Sequence, residues 1–244
     1  MRLAQQDLAD LWSSLNLSGD PARVRDALLE FFPDLLTAYG DTAAVLAADW
    51  YDLLRDVPAS AKSFDAVLAA PAPTAQAEAS ARWAVGPLFL DDPDPALAFS
   101  QLMGSTQRLV LQPGRDTIWT SAGADPVRTG VARVPSGTTT CRFCVTLASR
   151  GPVYQSQVSA ELVVGRGSNR TGYDANGKRL AGGIGGGVKP RGTQAIGNSF
   201  HDGCDCVSVV IRSAADYPDG YDPAALLDLH RAGAGIGRDE PHDH

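Results

Sequence analysis

All four cysteines of this 244-residue chain fall in two short clusters, Cys141-x-x-Cys144 and Cys204-x-Cys206, and His201 stands just before the second. Two cysteines separated by two residues can share one cation, because the turn between them brings both sulfurs to one side. A second pair from elsewhere in the chain completes the four tetrahedral nitrogen and sulfur positions that zinc prefers, and structural sites take all four from protein. The spacing therefore predicts one structural Zn2+ held by four of Cys141, Cys144, His201, Cys204 and Cys206. The four cysteines are the preferred set, with His201 as the alternative ligand. An ideal strand holds residues 204 and 206 about 6.6–6.8 Å apart at Cα, so a sulfur pair there needs a bend, which Gly203 can assist. The ion would staple segment 129–150 to a strand over 200–212 across more than fifty residues, where a cross-link has most entropy to remove.

The same cysteines admit other chemistry. Two disulfides require an oxidising compartment. A redox-active CxxC belongs in a βαβ setting, which is not apparent around Cys141. Buried thiols are the remaining reading. Gly172–Arg179 imitates a phosphate loop, but it ends in Arg rather than Ser or Thr and no apolar strand leads into it.

The elements that must position these residues divide into an α-rich first half and a mixed second half, an α+β chain. Leu8, Leu11, Trp12 and Leu15 form a helical stripe. Asp20-Pro21 starts a second helix, with Val24, Leu28, Phe31, Phe32 and Leu35 as its apolar face. Gly40 is expected to end it and Asp41 to cap a third, with Val45, Leu46, Trp50, Leu53 and Leu54 turned to the core. Further helices are expected over 75–85 and 96–111, with Pro113-Gly114 interrupting before a short helix carrying Trp119. From about residue 125 the period changes. Val127–Val134 reads as a strand, Cys141–Ala148 as a knuckle running into a helical turn, and Cys206–Ile211 as a buried β-branched strand. The expected organisation is a helical region over 1–128, a zinc-stabilised domain over 129–212 with a Gly-rich basic loop at 165–199, and an acidic tail over 213–244 with a short helix.

Composition is that of an ordinary globular chain, 44% apolar and 20% charged. No apolar run approaches the roughly 20 residues a membrane span needs, and the first residues lack a secretory pattern. A protein folded in a cytoplasm, without a membrane partner, is expected. The net charge of −7 disfavours a dedicated nucleic-acid binder. Locally, however, Arg166, Arg170, Lys178, Arg179, Lys189 and Arg191 face a single acid, Asp174. Such a loop suits weak, salt-sensitive contact with a DNA backbone or an acidic protein surface. Tyr173 is its one aromatic residue, so base stacking has little support.

At the cysteines the chain resembles the MuF-like minor head proteins of tailed actinobacterial phages. ARVPSGTTTCRFCVTLASRGPVY and the downstream HDGCDCVSVVI carry the resemblance, through Arg133, Ser136, Gly137, Cys141, Phe143, Cys144, Leu147, Ala148, Arg150, Gly151, Tyr154, His201, Asp202, Cys204 and Cys206. It covers roughly residues 129–212. It implies a low-copy protein of the capsid interior beside the portal, assembled in the host cytoplasm, with portal and major capsid proteins as partners. Relatives are also called capsid maturation proteases. For that activity Ser136 and His201 would be nucleophile and base, yet there is no G-x-S-x-G elbow and no H-E-x-x-H. Ser136 beside Gly137 has an ordinary reading as a turn residue, and the residues favour a structural role over an enzymatic one.

Overall fold

A computed structural model of the chain describes residues 1–55, 61–127, 130–137, 140, 142–152 and 206–232. Helices α1 (Arg2–Ser14), α2 (Pro21–Leu53), α3 (Thr74–Ala84) and α4 (Pro95–Ala124) come first. They are followed by strand β1 (Gly130–Val134), helix α5 (Arg142–Ala148), strand β2 (Val207–Ile211) and helix α6 (Pro223–Arg231). None of the described helices is long and apolar enough to cross a membrane.

Local chemistry sets the helix starts. Asp20 accepts a hydrogen bond from the Ala22 N–H ahead of α2, Asp94 from Leu97 ahead of α4, and Asp222 from Ala224 and Ala225 ahead of α6. In each case proline occupies the first turn, where a missing N–H costs nothing. The α1 stripe buries Ala4, Leu8 and Trp12 against Leu28, Phe32, Leu102 and Leu109 of α2 and α4, forming the first core with α3.

Two expected breaks do not occur. Helix α2 runs through Gly40 and Asp41, and α4 runs through Pro113-Gly114. These residues mark where the two long helices approach. A Cβ on Gly40 would stand 3.2 Å from Pro113 Cγ, and one on Gly114 would stand 2.9 Å from the Ala43 carbonyl oxygen. The glycines supply room for a neighbouring backbone rather than an end to the helix.

The same close packing overturns the expected core face of the second half of α2. Its buried residues are Gly40, Ala44, Ala48 and Tyr51, spaced as one helical stripe. Leu46, Trp50 and Leu53 point the other way and are 63%, 52% and 74% exposed, and Val45 and Leu54 also reach solvent. Small residues serve the contact with α4, which leaves the large ones outside.

Strands β1 and β2 pair antiparallel, with Gly130 opposite Ile211, Arg133 opposite Ser208 and Val134 opposite Val207. A lone two-stranded ribbon is marginal in water, and this one is covered on both sides. Val131 and Val210 pack with Tyr51, Ile118 and Trp119 of α2 and α4. Ala132, Val134 and Ile211 pack with Val145, Ala148, Tyr221 and Leu226 on the α5 and α6 side. The largely apolar strand sequences follow from that burial, with Arg133 and Ser208 as buried polar exceptions. Ser149 and Arg150 form a turn after α5. The Tyr221 hydroxyl, donating to the Ala148 carbonyl at 2.7 Å, and the Thr146 hydroxyl, 2.9 Å from His230 Nδ1, hold α6 on α5.

Candidate metal centre

Two of the five expected ligands lie among the described residues, and both are buried. Cys144 sits in α5 at 2% exposure, and Cys206 directly precedes β2 at 2%. The ladder ends at the Val134–Val207 pair, so Cys206 lies just beyond the end of the ribbon that β1 leaves toward α5. Arg133 connects this end to Cys144. Its Nη2 donates to Cys144 Sγ at 3.7 Å, and its partner across the ladder, Ser208, is two residues from Cys206. A second arginine holds the other cysteine: Arg115 Nε of α4 donates to the Cys206 carbonyl at 3.1 Å. Both arginines are almost wholly enclosed, Arg133 at 1% and Arg115 at 3%.

Cys141, His201 and Cys204 lie outside the described residues, as do Arg166, Arg170, Lys178, Arg179, Lys189 and Arg191. Among the described residues no group of three or more His, Cys, Asp or Glu is placed to hold a metal ion. Ser136, named with His201 for proteolysis, is exposed on the turn after β1.

The arginines were not foreseen as parts of the site. A signal existed for Arg133: a cation within the strand GVARV, whose other residues are apolar, has to find a partner once the strand is buried on both faces. Nothing in the helical pattern of α4 distinguishes Arg115 from a solvated residue.

A second buried polar cluster fixes the ribbon to the long helices at the opposite end. Asp125, at the end of α4, accepts from Arg55 Nε at 2.8 Å and Nη2 at 3.0 Å, from the Tyr51 hydroxyl at 3.0 Å and from the Val127 N–H at 2.8 Å. Arg212, just after β2, stacks over the Tyr51 ring at 5.5 Å and donates to the Leu54 carbonyl at 2.7 Å. Burial alone would push the Asp125 carboxyl up, but donation from Arg55, Val127 and Tyr51 outweighs it and holds the group below the usual carboxylate value. Asp216 is lowered by the N–H groups of Ser213 and Arg212.

A model of the family described as VG15 protein matches residues 1–232. Neither the curated proteins nor the solved structures give a match.

Proposed function

Because the chain belongs to the VG15 protein family, a phage virion-associated family, we propose that it is a MuF-like minor head protein that acts structurally in head assembly near the portal. One zinc ion, bound by the cysteine clusters, stabilises it. The observation that supports an assembly role most directly is the outward stripe of Leu46, Trp50 and Leu53 on α2. Large apolar side chains grouped on one solvent face mark a surface that another protein covers, and here they lie opposite the face that packs on α4. The neighbouring acids Asp41, Asp49 and Asp52, with no basic residue between 41 and 54, favour a partner that brings positive charge around an apolar centre. The capsid interior is where such a protein would act, and portal and major capsid subunits are the partners.

Zinc suits the residues. Cys144 and Cys206 are enclosed near one end of the ribbon, and an Arg133 N–H donates to the Cys144 sulfur there. The ion would supply cross-linking rather than reactivity, since the candidate ligands suffice to close its coordination. The basic residues Arg166, Arg170, Lys178, Arg179, Lys189 and Arg191 would add weak contact with packaged DNA.

The test is assembly of phage heads carrying Leu46→Asp/Trp50→Asp in this chain. The doubly substituted protein should fold with its zinc and be missing from purified heads. Normal incorporation would contradict the docking role of α2. Incubation with the major capsid protein separates the enzymatic alternative: defined cleavage that His201→Ala or Ser136→Ala abolishes, with folding intact, would establish a maturation protease instead.

A further inference from the structure

We propose that the end of the helical bundle where α3 finishes and α4 begins is a second docking surface, suited to a Lys- and Arg-rich helical segment of another protein that presents apolar side chains. It is separate from the α2 stripe and independent of zinc. Four large apolar side chains are exposed there. Trp83 stands at the end of α3 (55%), Phe89 and Leu90 in the connection (48% and 60%), and Leu97 in the first turn of α4 (45%). The connection holds them outward. A 3-10 turn over Gly86–Phe89 buries Pro87 and Leu88 against the bundle. The Asp94 N–H donates to the Pro87 carbonyl at 3.2 Å and closes the loop, so Phe89 and Leu90 project from it while Leu97 follows within a turn of the closure. The Arg25 guanidinium of α2 lies 5.9 Å from the Phe89 ring and fixes it beside the start of that helix. Side chains already held in place cost less to order on binding.

Charge selects the occupant. Between residues 83 and 107 there is no Lys or Arg, while Asp91, Asp92 and Asp94 follow Phe89-Leu90 directly. The Asp94 carboxylate caps α4. Asp91 and Asp92 are exposed and form no ion pair among the described residues. The nearby cations are already matched, Arg82 by Glu78 at 3.0 Å and Arg25 by Asp26 at 2.7 Å. An apolar centre beside unmatched carboxylates fits a partner that supplies apolar anchors within a positive rim. A second copy of this chain fits poorly, because its α2 stripe is also acidic, with Asp41, Asp49 and Asp52 and no basic residue between 41 and 54. Arg25 and Trp50 mark the two surfaces on α2 and stand roughly 37 Å apart at about 1.5 Å per residue. Both surfaces can therefore be filled at once, and the chain can bridge two subunits.

The tryptophans supply a local reporter. Trp12 and Trp119 are buried, so Trp50→Phe leaves Trp83 as the exposed indole. The full chain carrying Trp50→Phe is titrated with a synthetic amphipathic helical peptide of leucine and lysine, about four turns long, and with its leucine and glutamate counterpart. The lysine peptide should shift the Trp83 emission to the blue and saturate, and the glutamate peptide should not. Phe89→Ser/Leu90→Ser should weaken the binding by about tenfold or more, as for loss of anchoring side chains. Asp91→Asn/Asp92→Asn should weaken it at low salt, with the difference fading as salt rises. Leu46→Ser should leave the Trp83 response unchanged, which keeps this surface distinct from the α2 stripe and its own test. An unmoved emission, an equal response to the glutamate peptide, or indifference of both double variants would overturn the proposal. So would loss of the response on Leu46→Ser, or a dimer in sedimentation that Phe89→Ser/Leu90→Ser dissolves, which would assign the surface to a second copy. If the serine variant fails to fold, the asparagine variant, which alters only exposed carboxylates, carries the comparison.

Discussion

Pro113 lies directly against Gly40, so close that a Cβ on Gly40 would stand 3.2 Å from the proline Cγ. One turn further along α2, Ala43 offers its carbonyl oxygen to the space above Gly114, where a Cβ would come within 2.9 Å. The two longest helices therefore meet backbone to backbone, and the meeting point depends on absent side chains.

Gly114→Ala should destabilise the protein by about 1–3 kcal/mol, since the obstructing atom is main chain and cannot rotate away. Gly123, in the same helix, has nothing within 4 Å of an added Cβ. Gly123→Ala should stabilise by about 0.5–1 kcal/mol through helix propensity. Denaturant midpoints of the two variants check the contrast; a loss of similar size at both positions would count against the crossing.

This crossing shows where the sequence was legible and where it was not. Caps were readable because they act within a few residues: Asp20-Pro21 opens a helix as expected. The change of period near residue 125 and the strand after Cys206 were also readable, since burial on both faces demands largely apolar runs. Gly40 and Pro113-Gly114 misled because the residues that break an isolated helix also allow helices to touch, and only the distant partner decides between the two. For the same reason Leu46, Trp50 and Leu53 looked like core: periodicity finds an apolar stripe but cannot say that a stripe of Gly and Ala on the opposite side has the closer neighbour. At the candidate metal centre, sequence supplied the cysteines as expected ligands, while the arginines beside Cys144 and Cys206 depended on strand register and on the path of α4.

Asp125 should govern part of the acid stability. Its carboxyl is lowered in the folded state, so its contribution is complete above the unfolded value, about 3.9, and is lost as pH falls through the folded value. Asp216 acts in the same direction. Asp125→Asn should destabilise the protein at neutral pH by more than removal of the exposed Glu78–Arg82 pair, because Arg55 would keep its charge in an enclosed place. It should also flatten the fall in melting temperature below about pH 4. An unchanged acid limb in the variant would refute this assignment.

The extended segment before α3 is held by helix side chains. The Ala69 N–H donates to Thr117 Oγ1 at 3.0 Å, the Val67 N–H to Ser121 Oγ at 2.9 Å and the Ala66 N–H to Asp52 Oδ1 at 3.0 Å. Thr117→Val keeps the shape and removes one acceptor, so it should cost about 1 kcal/mol. Limited proteolysis should then cut between 61 and 73 faster than in the native chain. Unaltered cleavage there would indicate that packing alone holds the segment.

Elemental analysis of the purified chain shows whether two distant cysteine clusters share one cation. About one zinc per native chain is expected, with the metal lost and the melting temperature sharply lowered in both Cys144→Ser and Cys206→Ser. A native protein purified under reducing, chelator-free conditions that carries no zinc and takes none up, or single variants from each cluster that keep a full complement, would contradict it.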